Sequence, residues 1–346
     1  IGLAVLLLVI AGAGLYAAVG RPAETVEITG FVGGEKIGLL EDEQVTERME
    51  EKYGLKMDYA RAGSLDMITA DHSGRNYLFP SSQTALELYE NLYGRPVKSE
   101  IVLNTPIVLY TRRAVADALT EQGIVSEEDG VLYGDMEKLT QCLEDGTTWE
   151  ELGLPQLYGS FSVGTTDPNK SNSGNMFAGL LANILCGGVA DESNIDEALP
   201  RLRSIFQKLG YMETSSSDLF DQFLKTGMGA KPLIAGYENQ LLEFAVQNPS
   251  DWEQVKDDIV MPYPNPSVWS AHVFIALDEA GAKGIDALMD EGVQQLAWDR
   301  HGFRTGVYGT AMDTEKFGVD GVAGEITRIA PMPDVNTMMK IMDALK

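Results

Sequence analysis

The chain has 346 residues, with 52 Asp plus Glu against 26 Lys plus Arg and a formal charge of −26 at pH 7. That excess argues against nucleic acid and anionic lipid as charge-driven partners, because both are held mainly through clustered Lys and Arg. Two cysteines, Cys142 and Cys186, are too few for a disulfide framework and lack metal-ligand spacing. The length exceeds the roughly 100–200 residues of one domain, so two lobes are expected.

The chain opens on Ile1 to Val19, an uncharged apolar run of about 19 residues, close to the span of a bilayer core. Residues 1–20 are expected to be either a transmembrane anchor or a signal segment. Ala18-Val19-Gly20 offers a small-x-small cleavage pattern, and no Cys stands near position 20 to accept a lipid. Either outcome delivers an extracytoplasmic body, attached to the cell membrane by the N-terminal helix or secreted.

The body begins with three rounds of strand, Gly- or Ser-containing turn and helix. Strand-like Val26 to Val32 precedes Gly33-Gly34 and the helical Asp42 to Lys52. Leu55 to Ala60 precedes Gly63-Ser64 and the run Leu65 to Ala70, and Tyr77 to Phe79 precedes Ser81-Ser82 and a helix carrying Ala85, Leu86, Tyr89 and Leu92. This alternation predicts a parallel α/β sheet, whose ligands gather at the carboxyl ends of the strands.

An extended apolar run from Glu100 to Tyr110 reads as a strand leaving one lobe for another, and Asp258 to Val273 reads as its return. Between them lie helices at Ser173 to Leu185 and Ala198 to Leu209, and a strand from Pro232 to Ala235 ending in Gly236-Tyr237-Glu238-Asn239. After the return, Ile285, Leu288, Met289, Val293, Leu296 and Ala297 share one helical face. The expected division is 26–105 plus 261–346 for the first lobe and 106–260 for the second. The second carries a net charge of −15 out of the total of −26, a solvated face or a docking surface for a basic partner.

An enzyme is not indicated. His72, His272 and His301 are far apart with no His or Cys at ligand spacing, and the chain has no G-x-S-x-G, Walker A or G-x-G-x-x-G motif. No cofactor or metal is expected. The informative segment is Gly164 to Met176, GTTDPNKSNSGNM, in which Thr166, Asp167, Ser171, Ser173, Gly174 and Asn175 crowd at a helix start. Hydroxyls and free backbone N–H groups there suit a negative or strongly polar group, although a Ser in such a place also serves as a plain cap. Ser64 and Ser81 repeat the device in the first lobe, and Thr105, Tyr237 and Glu238 are further candidates.

These residues resemble the extracellular solute-binding proteins of the type II periplasmic-binding fold, in the branch near molybdate- and sulfate-type anion binders. The matching features are Gly33 to Lys36, Ala62-Gly63-Ser64, Thr165 to Phe177, Tyr263 to Pro266 and Trp298 to Arg304, within a span from Val26 to Arg304. The resemblance implies two α/β lobes joined by two crossing hinge strands, and a cleft that closes on a small-molecule solute, with Gly34 and Lys36 among its ligand-facing residues. It also implies a monomeric body that delivers the solute to the membrane permease of an ABC transporter. The same two lobes could instead serve a membrane-anchored sensor or scaffold without transport. A typical anion binder of the family has a Ser-rich turn where this chain has Gly33-Gly34-Glu35-Lys36, and Glu35 and Glu238 would repel a small oxyanion unless they face away or are paired.

Overall fold

The computed structural model describes residues 25–305 and 312–346. The apolar run at Ile1 to Val19 lies outside them; among the described residues no helix is long and apolar enough to cross a membrane.

The strands, in chain order, are β1 (Val26–Val32), β2 (Leu55–Arg61), β3 (Tyr77–Phe79), β4 (Lys98–Arg112), β5 (Val125–Glu128), β6 (Val131–Asp135), β7 (Leu233–Tyr237), β8 (Ile259–Val260), β9 (Tyr263–Asn265), β10 (Trp269–Ala276) and β11 (Arg304–Thr305). The predicted alternation is present: β1 pairs in parallel with both β2 and β3. The 15-residue β4 is the crossing strand. Its first half pairs with β10, up to Pro106 opposite Trp269, and its second half pairs with β7, from Ile107 opposite Tyr237 to Thr111 opposite Leu233. One strand thereby belongs to both sheets. The reason is legible in its side chains: residues 105–112 are all buried, the near-continuous burial of a strand covered on both faces.

Each half of β4 anchors its own core. Val102 and Leu103 pack with Ile28, Val32, Phe79, Phe274 and Phe303, while Leu78, Val273 and Ile275 serve the opposite face of the same sheet. Beyond Pro106 the faces separate by the two-residue period of a strand. Ile107 and Leu109 join one cluster, with Met176, Leu180 and Leu202. Val108 and Tyr110 join another, with Phe220, Phe223 and Trp252. The C-terminal stretch departs from the expected division, because Phe317 and Val319 pack in the Val108 cluster and Met338 and Ile341 in the Ile107 cluster. The apolar side chains there complete the second pair of cores.

Helices that position the cleft are α1 (Glu43–Tyr53), α2 (Gln83–Tyr93), α3 (Asn172–Cys186), α4 (Ser216–Lys225), α5 (Glu238–Gln247) and α6 (Glu291–His301). Their starts follow ordinary capping chemistry in part: Asp42 accepts from Gln44 N, and Ser82 from Ala85 N. Cys142 and Cys186 are not bridged.

Candidate functional site

The turns after β1 and β2 meet the starts of α3 and α4 across a cleft of about 320 Å³. Gly34, Glu35, Arg61, Ser64 and Asp66 line it from one side, and Lys170, Ser171, Asn172, Ser215 and Ser216 from the other. The backbones come close here, since a Cβ on Gly63 would lie 2.7 Å from the Lys170 carbonyl oxygen. Glycine is what lets the two turns approach. Arg61 reaches across from the end of β2 to the hydroxyls of Ser215 and, at 3.0 Å, Ser217.

The pair of serines before α2 divides its labour. Ser82 caps the helix, while the Ser81 hydroxyl turns to the buried Lys36 and Glu35 side chains. Ser64 does not cap the following short helix; its Oγ accepts the Ser81 N–H at 2.9 Å. The Ser81 carbonyl oxygen accepts from Asn172 Nδ2 at 2.9 Å and from Ser270 Oγ at 2.7 Å, and the Asn172 amide also donates to the Tyr237 hydroxyl at 3.1 Å. Ser64, Ser81 and Tyr237 therefore share one hydrogen-bond network, with Asn172 bridging Ser81 and Tyr237.

Beneath them lies a sealed charge cluster. Lys36 Nζ stands 2.5 Å from Glu35 Oε1, 2.7 Å from Ser81 Oγ and 3.2 Å from His272 Nδ1, and the Lys36 and His272 side chains are fully buried. Burial alone would raise the Glu35 carboxyl, but the Lys36 ammonium and the hydrogen bonds outweigh it and bring it down to about 2. Burial pulls Lys36 below its ordinary range, opposed by the adjacent Glu35. Burial and then the Lys36 charge push His272 well below its ordinary value, so its imidazole is neutral at pH 7. A neutral ring accepting from the ammonium at Nδ1 carries its proton on Nε2, 3.4 Å from Ser270 Oγ. The Tyr237 phenol is held far above its usual range, first by burial and then by the Glu35 charge, so it stays neutral.

The α3 start is built differently from a plain Ser cap. Neither Ser171 nor Ser173 caps the helix; Thr166 Oγ1 accepts the Gly174 N–H at 2.8 Å and pairs with Ser173 Oγ at 2.8 Å, while Ser171 Oγ is 3.2 Å from Ser173 Oγ. Gly174 is required, because a Cβ there would fall 2.1 Å from the Thr166 carbonyl oxygen. Thr166, Ser173 and Gly174 are therefore scaffold, and Ser171 reaches the cleft wall. Asp167 closes its own turn by accepting from Asn169 N at 2.8 Å. Asn175 is buried against a small chamber lined also by Ser64, Ser171 and Asn172. Among the described residues its amide atoms, and Oδ1 of Asn172, have no hydrogen-bond partner.

Two expected residues are occupied elsewhere. Thr105 Oγ1 accepts the Asn239 N–H at 3.3 Å and serves the start of α5. Glu238 is buried in a two-pronged pair with Arg304, at 2.7 and 2.8 Å, and accepts from the Tyr263 hydroxyl at 2.5 Å. Its carboxylate is spent on holding α5 to the β9 and β11 segments.

Not among the expected residues are Arg61, Lys170 and Asn172, which line the cleft, and Ser270 and His272, which are buried against Ser81 and Lys36. Arg61 had a signal, its place at the carboxyl end of a strand. So did Ser270 and His272, two residues apart on the return strand and hence on one face.

No protein-family model matches the sequence, and no curated protein matches it. Solved structures do. The chain resembles the sulfate-binding protein SubI from Mycobacterium tuberculosis H37Rv, at 13% identity and a TM-score of 0.57, over 91% of this chain and 96% of that one. It resembles the periplasmic binding protein AfuA from Actinobacillus pleuropneumoniae, solved with fructose-6-phosphate bound, at 14% identity and a TM-score of 0.58, over 92% and 96%. It also resembles apo ferric ion-binding protein A from Pasteurella haemolytica, at 11% identity and a TM-score of 0.55, over 93% and 96%. With both sheets sharing one crossing strand and a cleft at their strand ends, the chain has the two-lobe type II periplasmic-binding fold.

Proposed function

We propose that this chain is an extracytoplasmic solute-binding protein that captures a small polar or anionic solute between its lobes for an ABC-type transporter, without catalysing a reaction. The observation that carries the reading is the cleft itself, in which Arg61, Ser64, Lys170, Ser171 and Asn172 face one another from turns of both lobes. In this reading residues 26–105 with the return segment from 261 form the first lobe, residues 106–260 form the second, and the stretch from Phe317 to Ile341 buttresses the second. The apolar run at residues 1–20 would anchor or export the body.

The local charge supports a solute with anionic character. Arg61 and Lys170, with Lys36 behind Glu35, outnumber the Glu35 and Asp66 carboxylates by one in a chain of net charge −26. Two of the similar structures, by their own descriptions, bind sulfate and fructose-6-phosphate. Closure would follow from solute contacts made to both lobes at once. A solute group that bonds the Asn175 amide would favour the closed arrangement, since each buried unpaired polar group costs about 1–3 kcal/mol.

The test is a thermal-shift screen against sugars, sugar phosphates, amino acids and organic acids, followed by small-angle scattering on any hit. A rise in Tm with a fall in radius of gyration is expected. Stabilisation without compaction would favour a sensor or scaffold that binds without closing, and neither effect across the panel would leave solute capture unsupported.

A further inference from the structure

Buried polar groups converge on the Glu35 carboxylate. Its Oε1 is 2.5 Å from Lys36 Nζ, accepts the Ser81 hydroxyl and lies 3.5 Å from His272 Nδ1. A buried ammonium and a hydroxyl converging on one oxygen are the donors with which proteins bind sulfate or phosphate. Here the oxygen belongs to the chain. The carboxylate folds back over Gly33: a Cβ there would lie 2.5 Å from Glu35 Oε1 and 2.8 Å from Oε2, so a side chain at 33 would displace it. Ser64 holds the Ser81 backbone N–H, and the Lys36 ammonium sits 4.9 Å over the Phe79 ring, which fixes the donors in place. Glu35 keeps 6% of its side-chain surface and lines both the cleft and a second cavity of about 270 Å³ beside Gly38, Ser217 and Glu243. It stands between the buried donors and the cleft space.

We propose that Glu35 is a resident anion that makes the cleft refuse free inorganic oxyanions. It takes the Lys36 and Ser81 donors for itself, so sulfate or phosphate meets a fixed carboxylate instead of a vacant cation. Selection of this kind works through a repulsive group as well as attractive ones. The solute is then a larger polar organic molecule, recognised farther out by Arg61, Lys170 and the Asn172 and Asn175 amides. This part rests on the reading of the cleft as a solute site; the exclusion of oxyanions by Glu35 does not.

Titration calorimetry and thermal shift with inorganic sulfate and phosphate on the full chain test it. Wild type is expected to show no saturable binding. Glu35→Ala, which empties the carboxylate's place and leaves Lys36 unpaired, should gain sulfate affinity by at least ~10-fold, read also as a sulfate-dependent rise in Tm. Glu35→Gln keeps the volume and should gain nothing, and adding Lys36→Met to Glu35→Ala should abolish the gain. Saturable sulfate binding by wild type would overturn the proposal, as would a folded Glu35→Ala chain that gains none. Should Glu35→Ala not fold, Glu35→Ser carries the same expectation, and the wild-type arm decides without either variant. A panel of organic solutes on wild type separates the two readings. A gain of sulfate binding in the variant with no organic ligand for wild type would keep the role of Glu35 and remove solute capture.

Discussion

The side-chain amide of Asn172 donates to the main-chain carbonyl of Ser81 at 2.9 Å, tying the first turn of α3 to the end of β3. The two residues are 91 positions apart, and Asn172 lines the cleft while Ser81 lies buried behind it. Together with the Arg61 contacts to Ser215 and Ser217, this bond ties the end of β2 and the segment after β3 to the starts of α3 and α4.

Asn172→Ala should loosen that arrangement. It removes the bonds to Ser81 and Tyr237, at a cost of about 1 kcal/mol each. The expected result is a larger radius of gyration by small-angle scattering with the helical content unchanged. An unaltered scattering profile would show that Asn172 does not hold the walls together.

Asn175 carries the opposite signature. Its amide is buried with no partner among the described residues, so Asn175→Leu, similar in volume, should stabilise the solute-free chain by about 1–3 kcal/mol. The same change should weaken whatever solute the screen identifies. Groups kept at a cost to stability mark sites of function. A destabilised variant would place Asn175 among ordinary structural residues.

Glu238 and Arg304 are a structural pair. Arg304→Met leaves a buried carboxylate facing only Tyr263, and the expected loss is about 3–5 kcal/mol in urea unfolding. Chains that remain folded should keep their solute affinity. A loss of affinity with stability intact would return Glu238 to the site.

Stability should fall in two limbs as the solution is acidified. His272 is buried neutral and titrates well below its ordinary value, so beneath about pH 6.5 the unfolded chain takes up a proton that the folded chain does not. Glu35 sits at about 2 when folded. Its contribution is complete above the unfolded value of about 4.3 and is lost as pH falls toward its folded value. Asp290 acts in the same direction: burial raises its carboxyl, but hydrogen bonds from Arg48, Lys52 and Tyr53 hold it far below the usual carboxylate range. Urea midpoints from pH 8 to 3 read both limbs. His272→Gln should flatten the upper one only, and a wild-type midpoint constant from pH 7 to 5 would contradict the neutral imidazole.

Much of this fold is written locally. The β1 to β3 alternation needs only hydrophobic runs and the turns between them, and β4 shows its double membership as two apolar runs on either side of Asn104-Thr105-Pro106. The site is less legible because its partners are distant. Lys36 meets His272 across 236 positions, and no local pattern tells a buried paired lysine from a solvated one. The serines illustrate the limit: Ser81 and Ser82 are adjacent and chemically alike, yet one accepts from the buried Lys36 ammonium and the other caps α2. Glu238 misled for the same reason, since its partner Arg304 is 66 residues away.

Capture of a solute between the lobes is tested most directly by native mass spectrometry of wild-type chain purified without denaturation, beside Arg61→Ala. Arg61 is exposed and its contacts are to the Ser215 and Ser217 hydroxyls at the start of α4, so the variant should fold normally. One small molecule per wild-type chain is expected, released on unfolding and absent or sharply depleted in the variant. Bare wild-type chain that is also unmoved by the solute panel, or equal occupancy in both proteins, would contradict it.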